Sequence, residues 1–313
     1  MTYSIRPIDL KLKTKWKISR NESVTKRNFI LSDGLYFSEI APNIRYNETP
    51  ERILNEFNDF ISHPDQIDKS WSQAFLCGVR NLKLKQESKG QLAKALKLKE
   101  LMKVKTSFSI PIMDKDNIKQ YLSLNPHFYA YKVKIENHHS IEFLNEIAAN
   151  TNALLRIDAN EGFNSLDDYL FFEKEISHLN IEFIEQPFPA ERRDLYLQLR
   201  PNSKFLLIAD ESVTDQFDAN EIRKMFHGVN IKLMKSGGLL KAKSMLEEAR
   251  KYHLKTMIGC MIESSLGISE AFYLAQLCDF CDLDGHLLIE NDPYKDLLKL
   301  DKGQVELSTK KIT

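Results

Sequence analysis

The chain has 313 residues, 42% of them hydrophobic, and carries 44 Lys+Arg against 44 Asp+Glu. That is enough apolar material for one large domain with a small companion, and the balanced charge leaves no basic field for nucleic acid or an anionic membrane. No stretch approaches the ~20 consecutive apolar residues that a membrane helix needs. Four cysteines (Cys77, Cys260, Cys278, Cys281) are too few for a disulfide framework, and the N-terminus, with Arg6, Asp9 and several lysines, lacks an apolar signal core. A cytoplasmic protein acting on a small molecule, with no nucleic-acid or membrane partner, is the expectation.

Residues 1–103 read as an α+β unit, with β-like runs at Ile5–Leu12 and Phe29–Phe37 followed by helical stretches at Pro50–Ile61 and Ile67–Gln86. From residue 104 to about 290 a short β-rich run alternates with a longer amphipathic stretch. The runs are Ser107–Pro111, Ala130–Ile135, Leu154–Asp158, Ile181–Glu185, Phe205–Asp210, Val229–Leu233, Thr256–Gly259 and Phe280–Leu283. Between them, Ser165–His178 and Leu239–Tyr252 have the composition and spacing of helices. Such alternation predicts a (β/α)8-type barrel behind an α+β cap, with residues 291–313 as a returning tail. A doubly wound open sheet is the rival, but the Gly-rich phosphate turn expected after its first strand is missing.

Barrel chemistry sits at the C-terminal ends of the strands. Asp158, Glu185 and Asp210 close three successive β-runs there, each one β/α unit from the last. Any one of them alone would pass for a helix N-cap. Neighbouring strands lie about 4.8 Å apart, so three in phase can converge on one hard cation, with Mg²⁺ the natural occupant. Lys132 and Lys134 alternate on the second run and therefore face the same way, while Lys232 stands at the end of the sixth, across the barrel. Inward lysines are costly unless paired or functional. Bases on two faces of one carbon, with a cation to hold the enediolate, suit removal and return of a proton next to a carboxylate.

Lys132-Val-Lys134, Arg-Ile-Asp158-Ala-Asn, Ile-Glu185-Gln-Pro, Ala-Asp210-Glu-Ser and Asn-Ile-Lys232-Leu-Met-Lys-Ser-Gly-Gly, in this order, resemble the muconate-lactonizing-enzyme subgroup of the enolase superfamily over essentially the whole chain. The resemblance implies that Asp158, Glu185 and Asp210 are metal ligands. It makes Lys134 and Lys232 the acid/base pair, and Lys132 a helper that keeps Lys134 reactive. Cys-Asp282-Leu-Asp284-Gly on the eighth run looks like the Asp-x-Asp by which dipeptide epimerases hold a free α-amino group. The segments ending in Arg20 and Glu48 are similar to the capping loops of that group; Arg20 suits an acidic substrate side chain and Glu48 or Glu51 a basic one, and the sequence does not choose between them. Departures are Asn21 and Asn47 where the family has glycine, and Tyr36-Phe-Ser-Glu39 where it has Gly-x-Gly-Glu.

The resemblance thus implies a Mg²⁺-dependent isomerase that epimerises the C-terminal residue of a dipeptide, with L-Ala-D/L-Glu the first candidate. Alternatives are an epimerase for cationic or hydrophobic dipeptides, and an o-succinylbenzoate synthase-like dehydratase or cycloisomerase. Glu263 follows the seventh run as a pocket candidate, and Ser264 is either a pocket residue or the next N-cap. Lys235 is a neighbour of the base, Cys278 and Cys281 are structural, and the His138-His139 pair begins a barrel helix. A homo-oligomer is an expectation for such a barrel, with no seam to assign.

Overall fold

The computed structural model describes residues 2–18 and 21–308. Three antiparallel strands open the chain, β1 (Ser4–Ile18), β2 (Asn21–Ser32) and β3 (Phe37–Ile40), in the order β1-β2-β3. The predicted run Phe29–Phe37 is thus cut in two. Asp33 ends the strand by accepting at Oδ1 from Leu35 N (2.8 Å) and Tyr36 N (2.6 Å), and Gly34, at φ 92°, supplies the left-handed residue of this turn.

Helix α1 (Pro50–Ser62) starts where Thr49 accepts from Arg52 N and Pro50 brings a preset φ. Helix α2 (Gln73–Ser88) begins six residues later than its sequence pattern suggests. Asp68 first turns the chain by accepting from Ser70 N, and Ser72 then caps the helix at Phe75 N. Phe60, Trp71 and Phe75 meet edge to face between the two helices, with Tyr3 from the sheet against Phe60. Short elements α3 (Leu92–Ala95) and β4 (Lys103–Lys105) lead onward.

The barrel then runs β5 (Phe108–Ile110), α4 (Ile118–Leu124), β6 (Ala130–Lys134), α5 (Ile141–Asn150), β7 (Leu154–Asp158), α6 (Leu166–Glu175), β8 (Ile181–Glu185), α7 (Arg193–Leu199), β9 (Leu206–Ala209), α8 (Ala219–Ile222), β10 (Gly228–Lys232), α9 (Leu233–Ser236), α10 (Leu239–Lys251), β11 (Lys255–Gly259), α11 (Ser265–Phe272) and β12 (Phe280–Asp282). Strands β5 to β12 are hydrogen-bonded in chain order and all parallel. Ser107 N donates to Cys281 O (3.1 Å) and brings the two ends of the sheet together. The predicted eight-stranded barrel with a cap is therefore the observed architecture. Its eighth strand is followed by a 3-10 turn, Gly285–Leu288, instead of a full helix.

Beyond that turn the chain returns to the cap. Leu12 bridges Ile289, Lys11 N donates to Asn291 Oδ1 (2.7 Å), and β13 (Leu298–Asp301) and β14 (Gln304–Leu307) extend β4. A large apolar core fills the space between barrel strands and helices, while Phe183, Ile208, Met257 and Phe280 form a separate plug inside the barrel at its N-terminal end. That plug leaves only the C-terminal rim free for chemistry. No helix among the described residues is long and apolar enough to cross a membrane.

Candidate active site

Strand register assembles the site. The ladder pairs Lys134 with Asp158 and Asp158 with Glu185, so three charged side chains stand at one level on β6, β7 and β8. On the far side it pairs Lys232 with Gly259 and Gly259 with Asp282, giving a second level on β10, β11 and β12. Asp210 lies one residue past β9, on the inward parity of Ile208, and completes the arc. One oxygen from each of Asp158, Glu185 and Asp210 lies within 4.8 Å of the others, and all three residues are buried. β6 and β10 stand on opposite sides of an eight-stranded ring, so Lys134 and Lys232 face each other across the carboxylates.

Four ammonium groups meet these acids. Lys132 Nζ is 3.0 Å from Asp158 Oδ2, 2.8 Å from Glu185 Oε2 and 2.9 Å from Asp282 Oδ2. Lys134 also pairs with Asp158 Oδ2, Lys232 with Asp210 Oδ2 (2.8 Å), and Lys235 with Asp210 Oδ1 while donating to Asp210 O at 2.6 Å. The acids respond differently. Burial works against charge on Asp158, but Lys132 and Lys134 outweigh it and draw the carboxyl down to about 2. Burial likewise opposes charge on Asp210, and Lys232 and Lys235 hold it well below the usual carboxylate range. Glu185 goes the other way, pushed up to about 7 by burial and then by the charge of Asp158. Burial disfavours the Lys232 ammonium, yet Asp210 more than compensates and keeps it charged above its ordinary value.

This donor set fits a divalent metal. All three residues are hard oxygen donors, and Glu185 Oε2 accepts no aligned hydrogen bond although Lys132 is close, leaving an available lone pair toward the shared centre. Asn230 Nδ2 donates to Glu185 Oε1 (2.8 Å) and orients the other oxygen. Gly259 makes room for Asn230, since a Cβ there would stand 2.4 Å from Asn230 Oδ1.

Asp282 and Asp284 both line the cavity above the rim. Asp282 accepts from Ser107 Oγ (2.8 Å) and Asp284 Oδ2 from Ser109 N (2.6 Å), so the strand that closes the barrel sets both. Burial, then Asp282, raises Asp284 to about 7. The cavity measures about 860 Å³ and lies between this rim and cap residues including Trp16, Lys26, Arg45 and Tyr46.

Arg20 lies outside the described residues. Glu48 borders the cavity, but both its oxygens are engaged, accepting from Asn43 N (2.9 Å) and Ala74 N (3.0 Å), which ties its loop to the start of α2. Glu263 points away from the cavity toward the seam between cap and barrel, where Oε1 accepts from Met261 N (2.8 Å). Ser264 caps α11 at Leu266 N, and with Gly267 N it also donates to the buried Glu39 of β3. His138 and His139 form a 3-10 turn ahead of α5, and Cys278 and Cys281 are free thiols. Asn230 and Lys26 were not singled out from sequence. Asn230 had a readable signal, standing two residues before Lys232 on the same inward parity.

The sequence profile described as Enolase C-terminal domain-like matches residues 116–311. The chain belongs to that family. Within the enolase-like family it is 31% identical over 313 residues to an L-Ala-D/L-amino acid epimerase of Flavobacterium johnsoniae, covering 93% of each chain. To an L-Ala-D/L-amino acid epimerase of Pedosphaera parvula it is 34% identical, covering 92% of this chain and 91% of the relative. Among solved structures it is similar to an enolase family member from Agrobacterium tumefaciens with homology to dipeptide epimerases, which holds sodium and L-Ala-L-Glu. That match has a TM-score of 0.85 at 26% identity and covers 98% of this chain and 97% of the other.

Proposed function

We propose that the protein is a Mg²⁺-dependent dipeptide epimerase, an isomerase that inverts the α-carbon of the C-terminal residue, acting in the cytoplasm. The observation that carries this reading is the placement of Lys134 and Lys232 on opposite sides of one buried carboxylate triad, with Asp282 and Asp284 beside it. Asp158, Glu185 and Asp210 would hold the metal, which when bound stabilises negative charge gathering on the substrate carboxylate. Asp282 and Asp284 receive the dipeptide ammonium, and this contact restores full charge to Asp284.

One of the two lysines, neutral, takes the α-proton from its side, so that the C–H bond breaks as an N–H bond forms. The other, as ammonium, returns a proton to the opposite face, and the configuration inverts. Lys132 shares the Asp158 oxygen with Lys134 and completes the lysine set. Residues 1–103 act as the cap that selects the side chain, 104–290 as the catalytic barrel and 291–313 as the tail that ties them. The similarity to the L-Ala-D/L-amino acid epimerases of F. johnsoniae and P. parvula supports this class of substrate, and L-Ala-D/L-Glu is the first to try.

The test is proton NMR in D₂O with Mg²⁺ and L-Ala-L-Xaa dipeptides bearing acidic, cationic and hydrophobic second residues. Exchange at the second α-carbon that needs Mg²⁺ and is lost in Lys134→Ala is the expected result. No exchange with any dipeptide would overturn the reading and direct attention to carboxylates without an amino group.

A further inference from the structure

Of the three carboxylates in the triad, Asp158 and Glu185 end strands, but Asp210 lies beyond β9, past the last ladder pair of Glu185 with Ile208. Its main-chain N–H has no strand partner. What it has instead is a side chain from the neighbouring strand end. Gln186, directly after Glu185, accepts at Oε1 from Asp210 N (2.9 Å) and from Ser212 N (3.1 Å). Its Nε2, with two hydrogens to share, faces three acceptors, Ser212 Oγ (2.8 Å), Tyr196 OH (2.8 Å) and Phe188 O (3.2 Å). Main-chain N–H groups can only donate, so the amide has one possible orientation.

Gln186 is fully buried, and its backbone stands at φ 41°, in the left-handed region that side chains with a Cβ rarely adopt. Glycine would remove this strain. It would also remove the side-chain hydrogen bonds, including the one that holds the Asp210 amide. Strain held in place by such a network at a site marks a constraint that the site uses. We propose that Gln186 is a positioning residue that replaces the missing ladder bond at Asp210, fixes the spacing of Glu185 and Asp210, and so sets the affinity of the triad for its metal. This rests on the triad being the metal site, as read above.

The experiment measures Mn²⁺ binding to the full chain by electron paramagnetic resonance, beside thermal denaturation of the same metal-free proteins. Gln186→Met, close in volume but unable to accept, should weaken Mn²⁺ binding by about 10- to 100-fold. Gln186→Glu keeps an acceptor toward both amides and should recover most of that loss. Gln186→Asn tolerates positive φ but is too short to span to Asp210 N, and it should weaken binding as Gln186→Met does, which decides the matter if Gln186→Met does not fold. Wild-type affinity in Gln186→Met and Gln186→Asn, even with lowered melting temperatures, would leave Gln186 a packing residue and overturn the proposal. A Gln186→Glu variant as weak as Gln186→Met would do the same. Failure of the underlying reading looks different, because Mn²⁺ would then not bind the wild type, or would bind Asp158→Asn equally well.

Discussion

The two ends of the barrel both bury cations, and they satisfy them in opposite ways. Toward the N-terminal end, Arg156 is fully buried, and each nitrogen of its guanidinium has a partner of its own. Nε pairs with Glu182 Oε2 (2.7 Å), Nη1 donates to Cys281 O (2.8 Å) and Nη2 to Tyr129 OH (2.6 Å). The rings of Tyr129, Phe183 and Phe280 surround it at 5.1–5.3 Å. One layer up on the same strand, Asp158 is shared by two lysines, and across the rim Asp210 is shared by two more. A cation whose every nitrogen has its own fixed partner has little to exchange. Carboxylates that several ammoniums compete for can trade those partners for a metal and a substrate, which makes the upper end reactive and the lower end structural.

The largest effect should come from the upper end. Lys134→Ala and Lys232→Ala are each expected to slow α-proton exchange by about 10²–10⁴-fold, while the melting temperature measured by calorimetry stays at or above the wild-type value, because each lost ammonium leaves its carboxylate another partner. Arg156→Met should show the reverse. It strands Glu182 and Tyr129 OH and leaves Cys281 O with Ser107 as its remaining donor, and a loss of about 2–3 kcal/mol in urea unfolding is expected, discounted for the partial exposure of Glu182. Exchange per folded molecule should change far less than in the lysine variants. An Arg156→Met protein that is stable but inactive would erase the contrast between the two ends.

The same contrast explains what the sequence made visible. Period-two alternation and the rule that barrel chemistry sits at strand ends were enough to place Lys132, Lys134, Asp158, Glu185, Lys232 and Asp282 on the inner rim, because both rules act within one strand. What depends on contact between strands or loops stayed hidden. Glu48 reads as a free pocket charge until α2 is seen to dock its first turn on it. Gln186 looks like a loop residue, and nothing in its neighbours in sequence announces that Asp210 will need its side chain. The start of α2 was misplaced because the apolar pattern continues through a turn that Asp68 and Ser72 impose locally. The loop calls at Arg20 fall outside the described residues altogether.

Glu263 supplies a third case that sharpens the comparison, a carboxylate near the reactive end without a cation of its own. No ion pair reaches it among the described residues, Oε2 accepts no hydrogen bond, and burial, followed by the nearby Glu39, pushes its carboxyl up to about 8. A carboxyl whose pKa is raised in the folded state stabilises the fold fully below its unfolded pKa of about 4.3, and that contribution disappears as pH climbs through the folded value. The window is therefore pH 4.5 to 8. Glu263→Gln keeps the shape and removes the ionisation, so its stability relative to wild type should rise across this window, by at most about 1.4 kcal/mol per pH unit, and level off above it. Urea unfolding of both proteins at intervals from pH 4.5 to 9 measures this directly. A flat difference would mean that Glu263 ionises at its ordinary pH and finds a counter-charge when folded, which would place it with the paired acids of the rim. A rising one would show that charge at this end of the barrel is confined to the groups that lysines hold.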